Sequence, residues 1–317
     1  MAVTQHSGGD PEQRSAGAAL DLSRFHLRPG RPADRPAMER VCARTWEWGD
    51  YIPEVWEEWL ADEGGLVLVG EWAGQVVALN KITFYPDGQV WLEGMRVDPD
   101  YRRRGIAGRF LEYSLDYARR RGARVVRLGT SSTNQAVHAI VARNGMERVG
   151  MYVLRSASAQ PDGPLPVELG TDRAAEVEGV LLAGPVLDHN RGLYSVDWAW
   201  QELSGPRLGE LLGAGQLVGW QDADGELAAV ALVALDAEDK RLWIGLVDGL
   251  PEAVGKLART IRGYATGVGA DEAAIMLPDL PWLLETFEAA GYRVGRWEGQ
   301  LWIFERWLAG TEREKAA

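Results

Sequence analysis

Apolar residues along this chain recur with two rhythms, one near a period of two and one near 3.6, and their alternation predicts a layered α/β protein. Phe25–Arg28 reads as a short strand. Ala33–Trp46 follows with helical spacing, and Asp34 stands in its first turn, where a negative charge suits the helix dipole. Pro53 is placed to open a second helix that runs to Leu60. The period then changes. Leu66–Trp72, Gln75–Tyr85 and Val90–Val97 are rich in β-branched and aromatic residues and are separated by Ala73-Gly74 and Pro86-Asp87-Gly88, which predicts an antiparallel meander. Arg104–Arg121 is predicted as a helix ended by Gly122, and Val125–Thr130 as a strand. Asn134–Arg143 is predicted as a helix with Gly145 just beyond it, and Met146–Arg155 as a strand.

Ser156–Pro166 has the composition of a linker. Beyond it the pattern recurs more loosely. Asp172–Leu182 is helical, and a Trp- and Leu-rich stretch extends to Leu212. Strands are predicted at Leu217–Gln221, Leu227–Leu235 and Leu242–Val247, then a helix over Pro251–Gly267. A strand at Ala273–Leu277, a helix at Pro281–Ala290 and strands at Tyr292–Trp297 and Gln300–Trp307 complete the series. This order echoes the first half and reads as a drifted internal duplication. The expected organisation is a disordered tail over 1–22, a first domain over 23–156, a linker over 157–166 and a second domain over 167–317. Each domain is expected to hold a mixed, mostly antiparallel sheet flanked by helices.

Composition narrows the function classes. A chain of 317 residues fits two ordinary domains better than one core. No apolar run reaches the ~20 residues that cross a bilayer, and Met1–Gly17 lacks the apolar centre of a signal peptide. The single cysteine, Cys42, gives no disulfide framework, and cytoplasm is the expected compartment. A net charge of −12 argues against a nucleic-acid binder, which needs a broad basic face. His6, His26, His138 and His189 are scattered without the spacing of a metal site, so no metal is expected.

The segment with most chemistry is Met95-Arg96-Val97-Asp98-Pro99-Asp100-Tyr101-Arg102-Arg103-Arg104-Gly105-Ile106-Ala107-Gly108. A strand ends, a short loop carries three arginines, and a helix starts on small residues. A helix N-terminus offers unpaired N–H groups and partial positive charge to an anion. A bare Arg run also suits a solvated helix face. Cations at a helix N-terminus, however, cost ~0.3–1 kcal/mol each unless an anion relieves them. A phosphate-binding Walker loop and a G-x-G-x-x-G fingerprint are both absent.

Here the sequence resembles the GNAT (Gcn5-related N-acetyltransferase) superfamily. Its acetyl-CoA motif Q/R-x-x-G-x-G/A is matched by Arg102-Arg103-Arg104-Gly105-Ile106-Ala107, with the V-D-P turn before it and Asn134…Gly145-Met146 after it. The resemblance spans about 130 residues of the first domain. It implies that the main chain of Met95, Arg96 and Val97 pairs with the pantetheine arm, that Arg102, Arg103, Arg104, Gly105, Ile106, Ala107 and Gly108 cradle the pyrophosphate, and that Asn134 bonds the cofactor arm. The implied reaction is direct transfer of acetyl to a primary amine, which needs a general base because an ammonium is not nucleophilic.

Glu93 is the leading candidate base. By strand alternation it shares a face with Met95 and points to the cleft. A carboxylate bonded to a neighbouring strand is the equal alternative. Many family members carry a tyrosine as general acid where this chain has Val141; His138, one turn earlier, could substitute, although a lone helix histidine is more often structural. Trp46, Trp48, Asp50 and Tyr51 are candidate acceptor-binding residues, since aromatics and carboxylates together suit a small cationic amine. Trp56 and Trp59, three apart on a helix, fit core packing better. Asp50-Tyr51-Ile52-Pro53 and Leu92-Glu93-Gly94-Met95 are also similar to the histidine N-acetyltransferase group, which implies an amino acid or small amine as acceptor. A protein N-terminus or lysine as acceptor, or a non-catalytic acetyl-CoA sensor, are the other readings; a monomer or homodimer is expected. The second domain places Asp248 and Glu252 at the corresponding turn, where they would repel a phosphate, so it is expected to close the acceptor cleft or supply a packing face.

Overall fold

A computed structural model of the chain describes residues 24–45, 49–161, 163–295 and 297–308. The tail expected over 1–22 lies outside these residues. The first half runs β1 (Phe25–Pro29), α1 (Arg35–Ala43), α2 (Ile52–Ala61), β2 (Leu66–Trp72), β3 (Gln75–Tyr85), β4 (Gln89–Val97), α3 (Ile106–Arg120), β5 (Val125–Ser131), α4 (Gln135–Arg143) and β6 (Glu147–Ser158). The second half runs β7 (Val167–Glu168), α5 (Ala174–Ala183), α6 (Pro185–His189), β8 (Leu193–Val196), β9 (Ala199–Glu202), α7 (Gly205–Gly213), β10 (Leu217–Gln221), β11 (Leu227–Asp236) and β12 (Arg241–Gly249). It ends with α8 (Pro251–Gly267), β13 (Glu272–Pro278), α9 (Pro281–Ala289), β14 (Arg293–Val294) and β15 (Gln300–Trp307).

Thirteen strands form one continuous sheet, in the order β1-β2-β3-β4-β5-β15-β6-β13-β12-β11-β10-β7 with β14 beside β6. Neighbours are antiparallel except β4–β5 and β12–β13, so each half contains one parallel pair and the repeat is visible in the topology. The join between the halves departs from the expectation. β15 leaves the second half and inserts between β5 and β6, with Phe304 opposite Leu128 on one side and Arg148 on the other. β6 is long enough to serve both halves. Its start pairs with β15 and its end with β13, Leu154 opposite Met276 and Ser158 opposite Glu272. The strand expected at Tyr292–Trp297 is reduced to the two residues of β14.

Each helix covers a face whose apolar spacing it matches. Phe110, Leu111 and Leu115 of α3 sit on Leu68, Ile82, Val90 and Leu92. Met38, Val41, Trp56 and Trp59 of α1 and α2 sit on Val67, Val69 and Leu79 of the opposite face. Trp56 is fully buried and Trp59 nearly so, which makes both core residues. A separate cluster lies between the halves, where Trp91, Tyr152, Trp200, Trp243, Met276 and Ile303 meet. Burying an aromatic side chain contributes about 1.5–3 kcal/mol, so this cluster fixes the second half on the first. Among the described residues, no helix is long and apolar enough to cross a membrane.

Candidate active site

The site begins where two strands part. β4 and β5 pair in parallel from Gln89 opposite Val125 to Leu92 opposite Leu128, and the ladder stops there. β5 continues on β15 to Ser131, while β4 continues on β3 to Val97. The β5-facing edge of residues 93–97 is thus left without a strand partner, and an extended ligand can add to it. Directly beyond, Asp98 is buried, ties its carboxylate to Arg44 (2.8 Å) and accepts the Asp100 amide (3.0 Å), which fixes a tight turn after the strand. The loop that follows has two left-handed residues, Arg103 (φ 60°) and Gly105 (φ 79°). Alternation of this kind turns successive N–H groups inward as an anion nest. Gly105 is the N-cap of α3 and no side chain caps it. The amides of Ile106, Ala107 and Gly108 precede the first intrahelical bond, from Arg109 N to Gly105 O (3.1 Å). A Cβ on Gly105 or Gly108 would meet open space, and the left-handed φ of Gly105 (79°) is what favours glycine at that position.

Glu93 sits at the mouth of the splay, but for a different reason from strand alternation. Gly94 has φ 67°, and the β3–β4 register slips between Leu79 and Lys81, the signature of a β-bulge. The bulge places Met95 and Val97 on the α3 face with Tyr101 and Phe110, whereas Glu93 stands with Thr83 and Lys81 on the α1–α2 face. Glu93 therefore does not share the face of Met95. Only glycine fits the bulge, because a Cβ there would lie 2.5 Å from the Trp59 ring. Burial raises the Glu93 carboxyl above its ordinary value; the Thr83 hydroxyl (3.3 Å) and the Lys81 ammonium pull it back, and Asp197 and Glu58 push it up. Lys81 is itself held by Asp62 and by the Trp59 carbonyl (3.0 Å).

Residues 35–146, the segment that builds both features, match the model of the Acetyltransferase (GNAT) family. This segment is a GNAT acetyltransferase domain. The chain is 34% identical over 73 residues to the histidine N-acetyltransferase of Oreochromis niloticus, a match covering 23% of this chain and 22% of that protein. It spans between 19% and 42% of the length of the curated relatives it matches. In fold, it is similar to a GCN5-related N-acetyltransferase from Sphaerobacter thermophilus (TM-score 0.63, 15% identity, 90% of this chain and 96% of that one). It is also similar to a tandem GNAT protein from the clavulanic acid biosynthesis pathway (TM-score 0.53, 14% identity, 89% and 98%). The second of these shares the two-unit layout.

Among the other sequence-derived residues of the GNAT domain, Trp46 and Trp48 lie outside the described residues. Arg96 and Asp50, assigned to cofactor and acceptor respectively, bind each other through a two-pronged ion pair (2.7 and 3.0 Å), and the Asp50 side chain is buried. Arg96 also lies over the Tyr51 ring at 5.7 Å. Tyr51 keeps 44% of its surface exposed, although its surroundings are dry enough to raise its phenol, a combination found in a recess. Arg102 donates to the Val97 carbonyl (3.0 Å) and Arg104 lies 6.0 Å from the Tyr101 ring, while Arg102 and Arg103 are both exposed. Asn134 caps α4 through Val137 N (3.3 Å) and donates to Thr130 (3.2 Å). His138 stacks on Trp302 (4.7 Å) and its Nε2 lies 3.1 Å from the Ser131 carbonyl. Val141 is buried in the core between α3 and α4.

Sequence reasoning missed the opposite wall. The hairpin β8–β9 of the second half lies over β4 and β5 of the GNAT domain. Gln89 accepts the Glu202 amide (2.7 Å), and Trp200 packs at a tilt against Trp91 (6.0 Å). The hairpin tip packs Trp198 against Trp297 (5.6 Å), and the charge of Asp197 beside it helps to raise the Glu93 carboxyl. Tyr85 lines the same space, its phenol raised chiefly by burial and further by Glu93 and Asp197. The only sequence signal was the alternation of Tyr194, Val196 and Trp198 with Ser195 and Asp197, obscured by its high tryptophan content. In the second half, the counterpart of the cofactor turn differs from expectation. Asp248 does not face α8; it is fully buried and caps α6, accepting from Val186 N (3.1 Å) and Leu187 N (2.7 Å). Pro251 at the first position of α8 removes one N–H, and Glu252 there pairs with Lys256 (2.8 Å).

Proposed function

We propose that this chain is an N-acetyltransferase that moves the acetyl group of acetyl-CoA to the primary amine of a small molecule, using the single site of its first half. One observation carries the reading: an anion nest, an unpartnered strand edge and a desolvated carboxylate lie in sequence along one strand-loop-helix segment. Acetyl-CoA supplies an activated acyl group and a diphosphate, and the residues fit both. The amides of Arg103–Gly108 hold the diphosphate, and the main chain of Met95–Val97 holds the pantetheine arm as an added strand. A main-chain N–H of this edge would be the donor that stabilises charge developing on the acetyl oxygen.

Glu93 accepts the proton of the incoming ammonium. Its Oε1 takes the Thr83 hydroxyl, so Oε2 is the atom that receives the proton. A raised carboxyl is the better base here, because its conjugate acid lies closer to the working pH. The departing thiol has an ordinary pKa of ~8.5, so a thiolate leaves without a side-chain acid. That agrees with Val141 in the core and with the His138 ring engaged by Trp302 and Ser131. The β8–β9 hairpin, packed against β4 and β5 through β9, favours a small acceptor over a protein surface.

The test is thiol release from acetyl-CoA with a panel of small amines. Glu93→Gln is expected to lower kcat by about 10²–10⁴-fold with an unchanged Kd for acetyl-CoA. The acid limb of wild-type kcat is expected above the ordinary carboxylate range, since the base is active only above its raised pKa. Unchanged turnover in Glu93→Gln across pH removes Glu93 from the reaction. Acetyl-CoA binding without turnover on any amine makes the chain a sensor instead.

A further inference from the structure

Lys81 of β3 is a buried cation that takes no part in acetyl transfer itself. Only 2% of it is exposed, and an ammonium at that depth needs partners. Two of its three N–H groups have them. One donates to the Asp62 carboxylate and one to the Trp59 carbonyl (3.0 Å). That carbonyl lies in the last turn of α2, where a helix leaves its acceptors unpaired and favours a cation. The third N–H has no partner among the described residues. Gly65 leaves the ion pair its room, since a Cβ there would lie 2.5 Å from the ammonium nitrogen.

The sheet sets this cation against Glu93. In the β3–β4 ladder Lys81 stands directly opposite Glu93, on the first rung beyond the bulge. Residues paired in this way carry their Cβ atoms about 4.5–5.5 Å apart on one face. Thr83, two residues further along β3, bonds the same carboxylate. α2 ties the arrangement together: the Trp59 ring lies against Gly94 and meets Tyr51 at a T (6.0 Å), while the Trp59 carbonyl holds Lys81. The other charged groups around Glu93 are Glu58 and Asp62 of α2, Asp197 of the hairpin and Arg96 of β4, the last already paired with Asp50; Tyr51 and Tyr85 are the neighbouring phenols. A desolvated carboxylate among acids keeps its proton, and a protonated carboxyl cannot act as a base. Resting on the acetyltransferase reading, we propose that Lys81 is a positioning residue for the general base: its ammonium, anchored by Asp62 and the last turn of α2, is the fixed counter-charge that keeps Glu93 ionised to receive the proton of the acceptor.

The experiment follows the acid limb of kcat in the full chain at saturating acetyl-CoA. The acceptor is the fastest among butylamine, 1,4-diaminobutane, glycine, leucine and lysine, none of which titrates close to that limb. Wild type, Lys81→Met, Lys81→Arg and Asp62→Asn are compared. Methionine keeps the length of the side chain and drops its charge, so Glu93 holds its proton to higher pH. The limb is expected to rise by about 1 pH unit or more, the size of shift that a close opposite charge gives a carboxylate. Lys81→Arg keeps the cation and should return the limb towards wild type. Asp62→Asn should move it the other way, because Glu93 becomes the carboxylate opposite the ammonium. A purely structural ion pair would cost stability in Lys81→Met and Asp62→Asn alike and move neither limb. If Lys81→Met fails to fold, Asp62→Asn decides, since the Asp62 side chain is 34% exposed and accepts the change more easily. A limb that stays in place, or moves the same way in both variants, overturns the assignment and leaves transfer through Glu93 standing. Acetylation of none of these amines, nor of any in a wider panel, overturns both.

Discussion

Arg127 of β5 lies at the junction of four strands, and removing its partner tests how firmly the halves are joined. Its guanidinium is 2% exposed and donates to Glu305 of β15 (2.7 Å) and Gln89 of β4 (2.8 Å), with Glu202 of β9 at 3.7 Å. Burial lowers its pKa, and the Glu305 carboxylate does most to raise it again. Glu305→Ala leaves that cation desolvated with one distant carboxylate, and it also takes the acceptor from Trp307 Nε1 (2.7 Å). Breaking a buried pair costs about 3–5 kcal/mol. Glu202 compensates part of this and the lost Trp307 bond adds about 1 kcal/mol, so about 3–5 kcal/mol remains the expected loss. That is a large share of the ~5–15 kcal/mol that holds a typical domain folded. Urea unfolding of Glu305→Ala, Arg127→Met and R127M/E305L measures it. The double variant strands no charge, so it should lose at least about 2 kcal/mol less than the sum of the singles. A loss under about 1 kcal/mol in Glu305→Ala, or additive singles, refutes the burial argument.

Two other outcomes follow from the nest and the hairpin tip. Gly105→Glu sets an L-residue at φ 79°, which costs about 1–2 kcal/mol, and puts a carboxylate at the open end of α3. Calorimetry should give one acetyl-CoA per wild-type chain and none for the variant; retained binding, or two sites in wild type, contradicts the single-nest reading. Asp197 has a folded-state pKa raised from 3.8 to about 6, so the stability it contributes is complete below the unfolded value and is lost as pH rises through about 6. Asp197→Asn removes that loss. Discounted for its solvent exposure, the gain is about 1 kcal/mol, or about 2 °C in Tm at pH 7.5, and should shrink at pH 5. An equal Tm difference at both pH values shows that Asp197 titrates normally.

Local pattern makes much of the first half legible. Leu66–Trp72 and Gln75–Tyr85 are bounded by turn residues and form as read, because period and punctuation agree there. The acetyl-CoA motif is equally clear, since three arginines at a helix start require an explanation within the same dozen residues. What escapes depends on distant contacts. Gln300–Trp307 reads as a strand, yet nothing in its alternation says that its neighbours are β5 and β6. Glu93 is reached by counting from Met95, but the Gly94 bulge changes the parity between them, and a glycine inside a strand is the available warning. Asp248 looks in sequence like an exposed repellent at a helix start, and only the fold shows it turned inward onto α6. Asp197 becomes informative only when the second half is laid over the first.

The position of β15 sets an order of events during synthesis. On the ribosome, β5 and β6 are complete long before their shared neighbour exists, and at ~5–20 residues per second the ~140 residues from Ser158 to Gln300 take about 7–28 s to emerge. For most of that interval the nascent first half presents bare strand edges, Val125–Ser131 and Glu147–Val153 among them, to any chain able to pair with them. The splay between β4 and β5 is therefore braced only when almost the whole polypeptide has been made. A truncated translation product would contain every residue of the acetyl-CoA motif and still lack the strand that holds its site open.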